Sequence, residues 1–173
     1  CSRRSRTSTS SGTRTPSGFG DREQAIEEFR RALEAYPEGL GALRNIAECD
    51  EELGRPASAR RSWWRLRVAV LASQSDKYLE WDKDAERAFA RLEPSVAKIV
   101  VRVKGVDEPR VVVDGKPLTG SLIGEEIEQD LGEIEIVLED GSAVPPSKKL
   151  LLEAGQRYEV ELVGTPRKMG PVK

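Results

Sequence analysis

A pattern of side chains repeats in this sequence with a period of 34 residues. The matched positions are Ala25 with Ala59, Phe29 with Trp63, Ala32 with Leu66, and Pro37 with Leu71. A period of this length is typical of a helix–turn–helix unit, which buries its apolar face only against a neighbouring unit. The repeat therefore predicts a stack of helical hairpins, and it indicates a scaffold and not a catalyst.

Length and charge limit the possible partners. The chain of 173 residues could form one domain or two small ones. Its hydrophobic content of 38% and charged content of 34% are typical of a globular protein. Because the net charge is −2, we expect no nucleic-acid partner. Because no run of about 18 apolar residues occurs, we also expect no membrane span.

The first 20 residues are rich in Ser, Thr and Arg, which predicts a disordered tail at 1–20. Two interpretations of the start are open. Cys1 followed by a flexible tether could be the lipid-bearing end of a mature lipoprotein, or the sequence could be truncated. The repeat favours truncation, because the helix that should precede residue 21 would occupy 6–19, which reads as linker. We then expect the least covered apolar surface to consist of Ile26, Phe29 and Leu33.

Residues 21–93 are predicted to be the helical domain. The first helix ends at Pro37 and Gly39, the second covers 40–53, the third begins at Pro56, and the fourth covers 76–92. The third helix carries apolar residues on two faces, which predicts burial on both sides. Trp63 and Leu66 lie on one of these faces, and Trp64, Val68 and Leu71 lie on the other.

After Pro94 the apolar period changes from 3.6 to 2, which predicts strands. The predicted strands are 97–104, 110–113, 134–138, 148–153 and 157–163, the last two paired through a turn. Asp114-Gly115 is a strong hairpin signal, since both residues tolerate a positive φ. The fold class is therefore α+β: antiparallel helical hairpins followed by a small antiparallel β-sandwich at 96–163, with a flexible tail at 164–173.

Both parts resemble known bacterial modules. Residues 21–71, with Leu43, Ile46, Ala47 and Gly54 added to the repeat positions, resemble tetratricopeptide (TPR) repeats. Residues 96–163 resemble a PEGA domain, a transthyretin-like β-sandwich, through the run from Val111 to Leu118, Leu131-Gly132, and the Leu150 to Val163 region. The combination resembles envelope proteins of myxobacteria. It implies a non-catalytic role outside the cytoplasm, in the periplasm or cell envelope, with a protein or peptide partner.

The TPR resemblance also implies a binding surface. In TPR proteins the first helices of the hairpins line a groove, and residues 40–53 are the complete first helix here. Its inward polar positions are Arg44, Glu48 and Glu51, which suit a polar peptide. The alternative is that the short array, with these three residues, serves only to mediate assembly or to support an adjoining domain.

Few residues suit catalysis or metal binding. The sequence contains no His, so the commonest general base and metal ligand is missing. Two cysteines cannot form a four-ligand metal site. Cys49 is expected to be a small buried residue, with a nucleophile or an accidental partner for Cys1 as the alternatives. The acidic cluster Glu125, Glu126, Glu128 and Asp130 is interpreted as a solvated connection, with a hard-cation site as the alternative. We therefore expect no catalytic residue, cofactor or metal.

The stretch 60–67 mixes arginines with Trp63 and Trp64, which superficially suits a nucleic-acid stacking surface. The repeat register places Trp63 in the core, and Trp64 is assigned to the second buried face. The arginines would then occupy the remaining exposed arc and pair with nearby carboxylates. This second interpretation is the one we expect.

Together these features predict a non-catalytic protein-interaction or structural module of the bacterial cell envelope. The alternative is an accessory pair of domains from a larger enzyme or kinase whose catalytic part is missing from the sequence. The sequence leaves the oligomeric state open.

Overall fold

A computed structural model of the chain describes residues 19–37 and 39–164. The chain divides into two compact units, with the boundary between Glu93 and Pro94. We call them the helical unit and the β unit, and the chain is accordingly α+β. The predictions for Cys1, for residues 1–18 and for 165–173 lie outside the described residues.

In the described part of the helical unit, four α-helices follow one another: α1 (Phe19–Ala35), α2 (Leu40–Glu52), α3 (Pro56–Ser73) and α4 (Leu79–Leu92). A 3₁₀ turn at Asp76–Tyr78 precedes α4. Pro56 occupies the start of α3, where its fixed φ suits the first helical turn. Gly54, after α2, has a φ of 70°, which glycine adopts at little cost. The predicted order of four helices is confirmed.

The helices pack in chain order, α1 on α2, α2 on α3, and α3 on α4. One hydrophobic cluster runs through all four. Ile26 and Leu33 are buried in it and Phe29 is partly buried against it. The expectation that these three residues form the least covered apolar surface is wrong, because they pack into the core that α1 shares with α2.

The described part of the β unit has seven strands: β1 (Ala97–Lys104), β2 (Val111–Val113), β3 (Lys116–Leu118), β4 (Glu126–Gln129), β5 (Gly132–Leu138), β6 (Ser147–Leu152) and β7 (Arg157–Val163). They form two sheets, of order β4-β1-β7 and β3-β2-β5-β6. Alternate side chains of both sheets meet in one hydrophobic cluster, which includes Ile99, Val111, Ile136 and Val160. The β2–β3 turn is Asp114-Gly115, with φ of 48° and 72°, as its sequence predicts.

Three details of the predicted β-sandwich are wrong. β1 and β7 pair in parallel, so the sheets are not entirely antiparallel. β6 and β7, predicted as a pair, belong to different sheets. The acidic stretch predicted as a connection contains β4, which pairs with β1. In each case the strand partner is remote in sequence, and residue alternation does not specify it.

The backbone segments that directly follow β1 and β7 lie close together. The Gly164 N–H donates to the Lys104 carbonyl oxygen at 2.9 Å. Gly105 has a φ of 80°, and a Cβ atom there would lie 2.8 Å from the Gly164 carbonyl oxygen. Only glycine at position 105 accommodates both the positive φ and this contact.

Candidate functional site

The predicted binding residues of α2 lie together and face α4. The Arg44 Nε donates to Glu48 Oε1 at 2.9 Å, and the Arg44 Nη2 donates to Asp84 Oδ2 at 3.2 Å. The Arg44 guanidinium also lies 5.1 Å from the centre of the Trp81 ring. Arg44 therefore connects two helices that are separated in sequence by the whole of α3.

Glu51 makes a similar connection about two helical turns further along α2 than Arg44. Its Oε1 accepts a hydrogen bond of 2.6 Å from the Trp63 indole N–H, and its Oε2 accepts one of 2.7 Å from Arg91 Nη2. Arg44, Glu48 and Glu51 thus use their polar atoms within the helical unit. These contacts give the three residues a structural role, and peptide binding by them stays a prediction.

We expect Arg44→Glu to lower the free energy of unfolding of the helical unit by about 1 kcal/mol, since it places a third carboxylate beside Glu48 and Asp84. Arg44→Gln, which removes only the positive charge, should cost about half as much. Urea unfolding followed by helical circular dichroism measures both values. Equal losses of unfolding free energy in the two variants would mean that Glu48 and Asp84 do not interact electrostatically with the side chain at position 44.

The outer face of α3 is the main departure from the sequence-based expectation. Trp63, on the inner face, is 5% exposed, whereas Trp64, Val68 and Leu71 are 51%, 50% and 58% exposed. The prediction of a second buried face is therefore wrong. α2 and α4 each cover one side of α3, and in the described part of the chain no further helix covers the third side.

An open pocket lies at one end of this exposed face, between α3 and α4. Its volume is about 410 Å³, and Arg61, Trp64, Arg65 and Phe89 line it. The Trp64 and Phe89 ring centres are 5.6 Å apart with the planes tilted by 43°. The buried Arg60 lies 3.8 Å over the Phe89 ring and donates to the Phe89 carbonyl oxygen. Phe89, which forms part of the pocket wall, is thus held by contacts with both Arg60 and Trp64.

Two arginines beside the pocket have no carboxylate partner in the described part of the chain. Arg65 makes no hydrogen bond or ion pair there, and Arg61 donates only to the Ser58 hydroxyl, at 3.1 Å. By contrast, Arg67 on the α4 side of α3 pairs with Asp82 at 3.0 Å and Glu86 at 2.8 Å. The exposed apolar face therefore has a positive edge that is not neutralised. Sequence reasoning missed this site because it assigned Trp64 to the core and expected the arginines to be paired.

The β unit carries a different charge arrangement, centred on Arg157. This arginine donates to Glu126 at 2.9 Å and to Glu159 at 2.6 Å, and Lys98 lies 3.1 Å from Glu126. The hydrogen bonds from Arg157, and then those from Lys98, hold the pKa of Glu126 below its ordinary value. Arg157 lowers the pKa of Glu159 in the same way. These four charged groups are therefore paired with one another within the β4-β1-β7 sheet.

These shifts predict how the Arg157 contribution depends on pH. Because the carboxylates have lower pKa values in the folded state, they stabilise it above their ordinary pKa of 4.5, and this contribution is lost as the pH falls through their folded pKa values. We expect Arg157→Gln to lower the β-unit melting temperature at pH 7 and to have progressively less effect below pH 4.5. Nuclear magnetic resonance (NMR) melting of β1 and β7 amides measures this. The control Lys148→Gln should show no such trend, and a pH-independent Arg157 effect would contradict the assignment.

The described residues offer little for other chemistries. Within 19–37 and 39–164, no group of three or more His, Cys, Asp or Glu side chains is placed to hold a metal ion. Cys49 is buried in the helical core, as predicted. Among the helices in this part of the chain, none is long and apolar enough to cross a membrane.

Comparisons with known proteins do not assign the chain to a family. A scan against protein-family models gave no match. A search of curated proteins also gave no match. The fold and the exposed face of α3 are therefore the basis on which a function is assigned.

Proposed function

We propose that this chain is a non-catalytic protein-interaction module of the bacterial cell envelope, with a TPR-like helical unit and a PEGA-like β unit. Its action would depend on surface complementarity, with no bond made or broken. The helical unit would hold the partner, and the β unit would be the companion module common in such envelope proteins.

The repeat positions support the TPR-like assignment. Ala59, Trp63 and Leu66 are buried on α3, and their counterparts Ala25 and Phe29 pack on α1 against the same cluster. For the β unit, the support is the two-sheet arrangement and the Asp114-Gly115 turn after β2.

The exposed face of α3 is the observation that carries the interaction role. Large contiguous apolar surfaces rimmed by polar residues commonly mark protein interaction sites. Trp64, Val68 and Leu71 form such a surface over two helical turns, and Arg61 and Arg65 form its polar rim. We call this surface, together with Phe89, the α3 face.

Site-specific photo-crosslinking tests this function. A photoreactive amino acid at Val68, on the α3 face, should yield a discrete adduct in the bacterium that encodes the chain, in the envelope fraction. The same amino acid at the exposed Glu135 of β5 is the control and should not yield that adduct. Absence of an adduct at Val68, or adducts confined to the cytoplasmic fraction, would overturn the proposal.

A further inference from the structure

The shape of the α3 face fits a short helix. Trp64, Val68 and Leu71 follow the spacing i, i+4, i+7, so they form one stripe of about 10 Å along α3. Amphipathic helices bind such stripes through apolar side chains at the same spacing. The open pocket that Trp64 and Phe89 help to line is large enough to receive one bulky apolar side chain.

One wall of the pocket, the Phe89 ring, is held in place without a bound partner. Arg60 is buried and lies over the Phe89 ring, and the Trp64 ring contacts the same Phe89 side chain. Little side-chain freedom remains to be lost at Phe89 when a ligand enters. A fixed wall of this kind lowers the entropic cost of association.

The positive charges of Arg61 and Arg65 indicate that the partner is acidic. Arg61 and Arg65 lie along one edge of the stripe and have no carboxylate partner in the described part of the chain. A partner with Asp or Glu along the matching edge would form charge-assisted hydrogen bonds with both guanidinium groups. Such pairs at the rim of an interface set orientation and specificity.

A second copy of the chain fits this edge poorly. A two-fold axis that packs α3 antiparallel against its own copy brings the same edge of both helices together. Because α3 contains no Asp or Glu, this edge of the copy would present no carboxylate to Arg61 or Arg65. Single-stranded nucleic acid also fits poorly, because its affinity depends on many phosphate contacts and the chain has a net charge of −2.

We propose that the α3 face binds an acidic amphipathic helix of a partner protein. The helix carries bulky apolar residues at helical spacing and carboxylates along one edge. One apolar side chain enters the open pocket lined by Trp64 and Phe89, and the carboxylates pair with Arg61 and Arg65. This inference rests on the proposed function and names the chemistry of the partner.

Selection from a random 16-residue peptide library displayed on phage tests the partner class. The full chain is the bait, and Trp64→Ala is the bait for counter-selection. We expect enriched peptides with net negative charge and apolar residues at i, i+3 or i+4, and i+7. Enrichment of neutral or basic sequences, or no enrichment over Trp64→Ala, would overturn the inference.

Titration of the best enriched peptide then tests the charge pairing. Arg65→Glu should weaken binding at least ten-fold, whereas Arg31→Glu, the same charge change on α1, should alter it less than two-fold. The double variant Arg61→Glu/Arg65→Glu should prefer the peptide whose acidic residues are replaced by Lys. Equal weakening by Arg31→Glu, or no change in preference, would contradict the pairing. Circular dichroism confirms that each variant is folded.

Two further measurements separate this inference from its alternatives. Sedimentation that shows a dimer abolished by Trp64→Ala would assign the face to a second copy and overturn the inference. Tighter binding of a thymidine 16-mer than of the peptide would assign it to nucleic acid, with the same consequence. A cross-linked protein partner at Val68 that lacks an acidic helix would leave the proposed function intact and remove only this inference.

Discussion

Replacing Trp63 with alanine is expected to lower the free energy of unfolding of the helical unit by about 3–5 kcal/mol. The side chain is buried between α2 and α3, and its indole N–H donates to Glu51. The substitution would leave a large cavity in the core and remove one of the two hydrogen bonds to that carboxylate. Urea unfolding followed by circular dichroism at 222 nm measures the loss without relying on tryptophan fluorescence.

Trp64→Ala provides a matched control one residue away. Its side chain is half-exposed and contacts the Phe89 ring, so the expected loss is about 1 kcal/mol. Comparable losses in the two variants would contradict the orientation of α3. A large loss at Trp64 with little at Trp63 would mean that the outer face is the buried one.

Gly105→Ala is expected to destabilise the β unit by about 2–4 kcal/mol, through the positive φ and a steric clash together. The new methyl group would meet the Gly164 carbonyl oxygen, which belongs to backbone and cannot rotate away. The substitution should therefore separate the ends of β1 and β7. NMR amide signals of these strands, followed during urea unfolding, measure the effect.

Gly115→Ala separates the two contributions. Gly115 has a φ of 72°, close to that of Gly105. In the described part of the chain, however, no atom beyond its two chain neighbours lies within 4 Å of the position its Cβ would take. We expect a loss of about 1–2 kcal/mol from backbone conformation alone. If both variants lost the same stability, the close approach of Gly105 to Gly164 would be disproved.

The helices could be predicted because their signals are local. Pro56 begins α3, Gly54 follows α2, and Pro37 follows α1, and each acts on the backbone within one or two residues. The hairpin at Asp114-Gly115 is local in the same sense. These elements follow from backbone preferences whatever the rest of the chain does.

The burial of helix faces is less predictable, as α3 shows. Trp64, Val68 and Leu71 have the spacing of a buried stripe, and the same spacing is typical of an exposed binding stripe. Which one occurs depends on how many helices surround α3, and this is a property of tertiary structure. The wrong expectation that Ile26 and Leu33 are poorly covered has the same origin, because the helix that packs on α1 cannot be identified from the α1 sequence.

Strand pairing and the candidate site also depend on remote partners. The alternation in β1 and β7 predicted both strands, but their parallel pairing joins segments far apart in the chain. Similarly, the spacing of Arg44, Glu48 and Glu51 predicted that they share one face of α2. Their partners Asp84 and Arg91 lie on α4 and could not be identified from α2 alone.

The order of synthesis gives the β1–β7 pairing a consequence for folding. The helices contact their neighbours in sequence, so the helical unit can fold while the ribosome is still translating the β unit. β1, between β4 and β7, has only one of its two neighbours until β7 emerges. A nascent chain stalled before Arg157 should therefore carry a folded helical unit and a β1 edge accessible to chaperones.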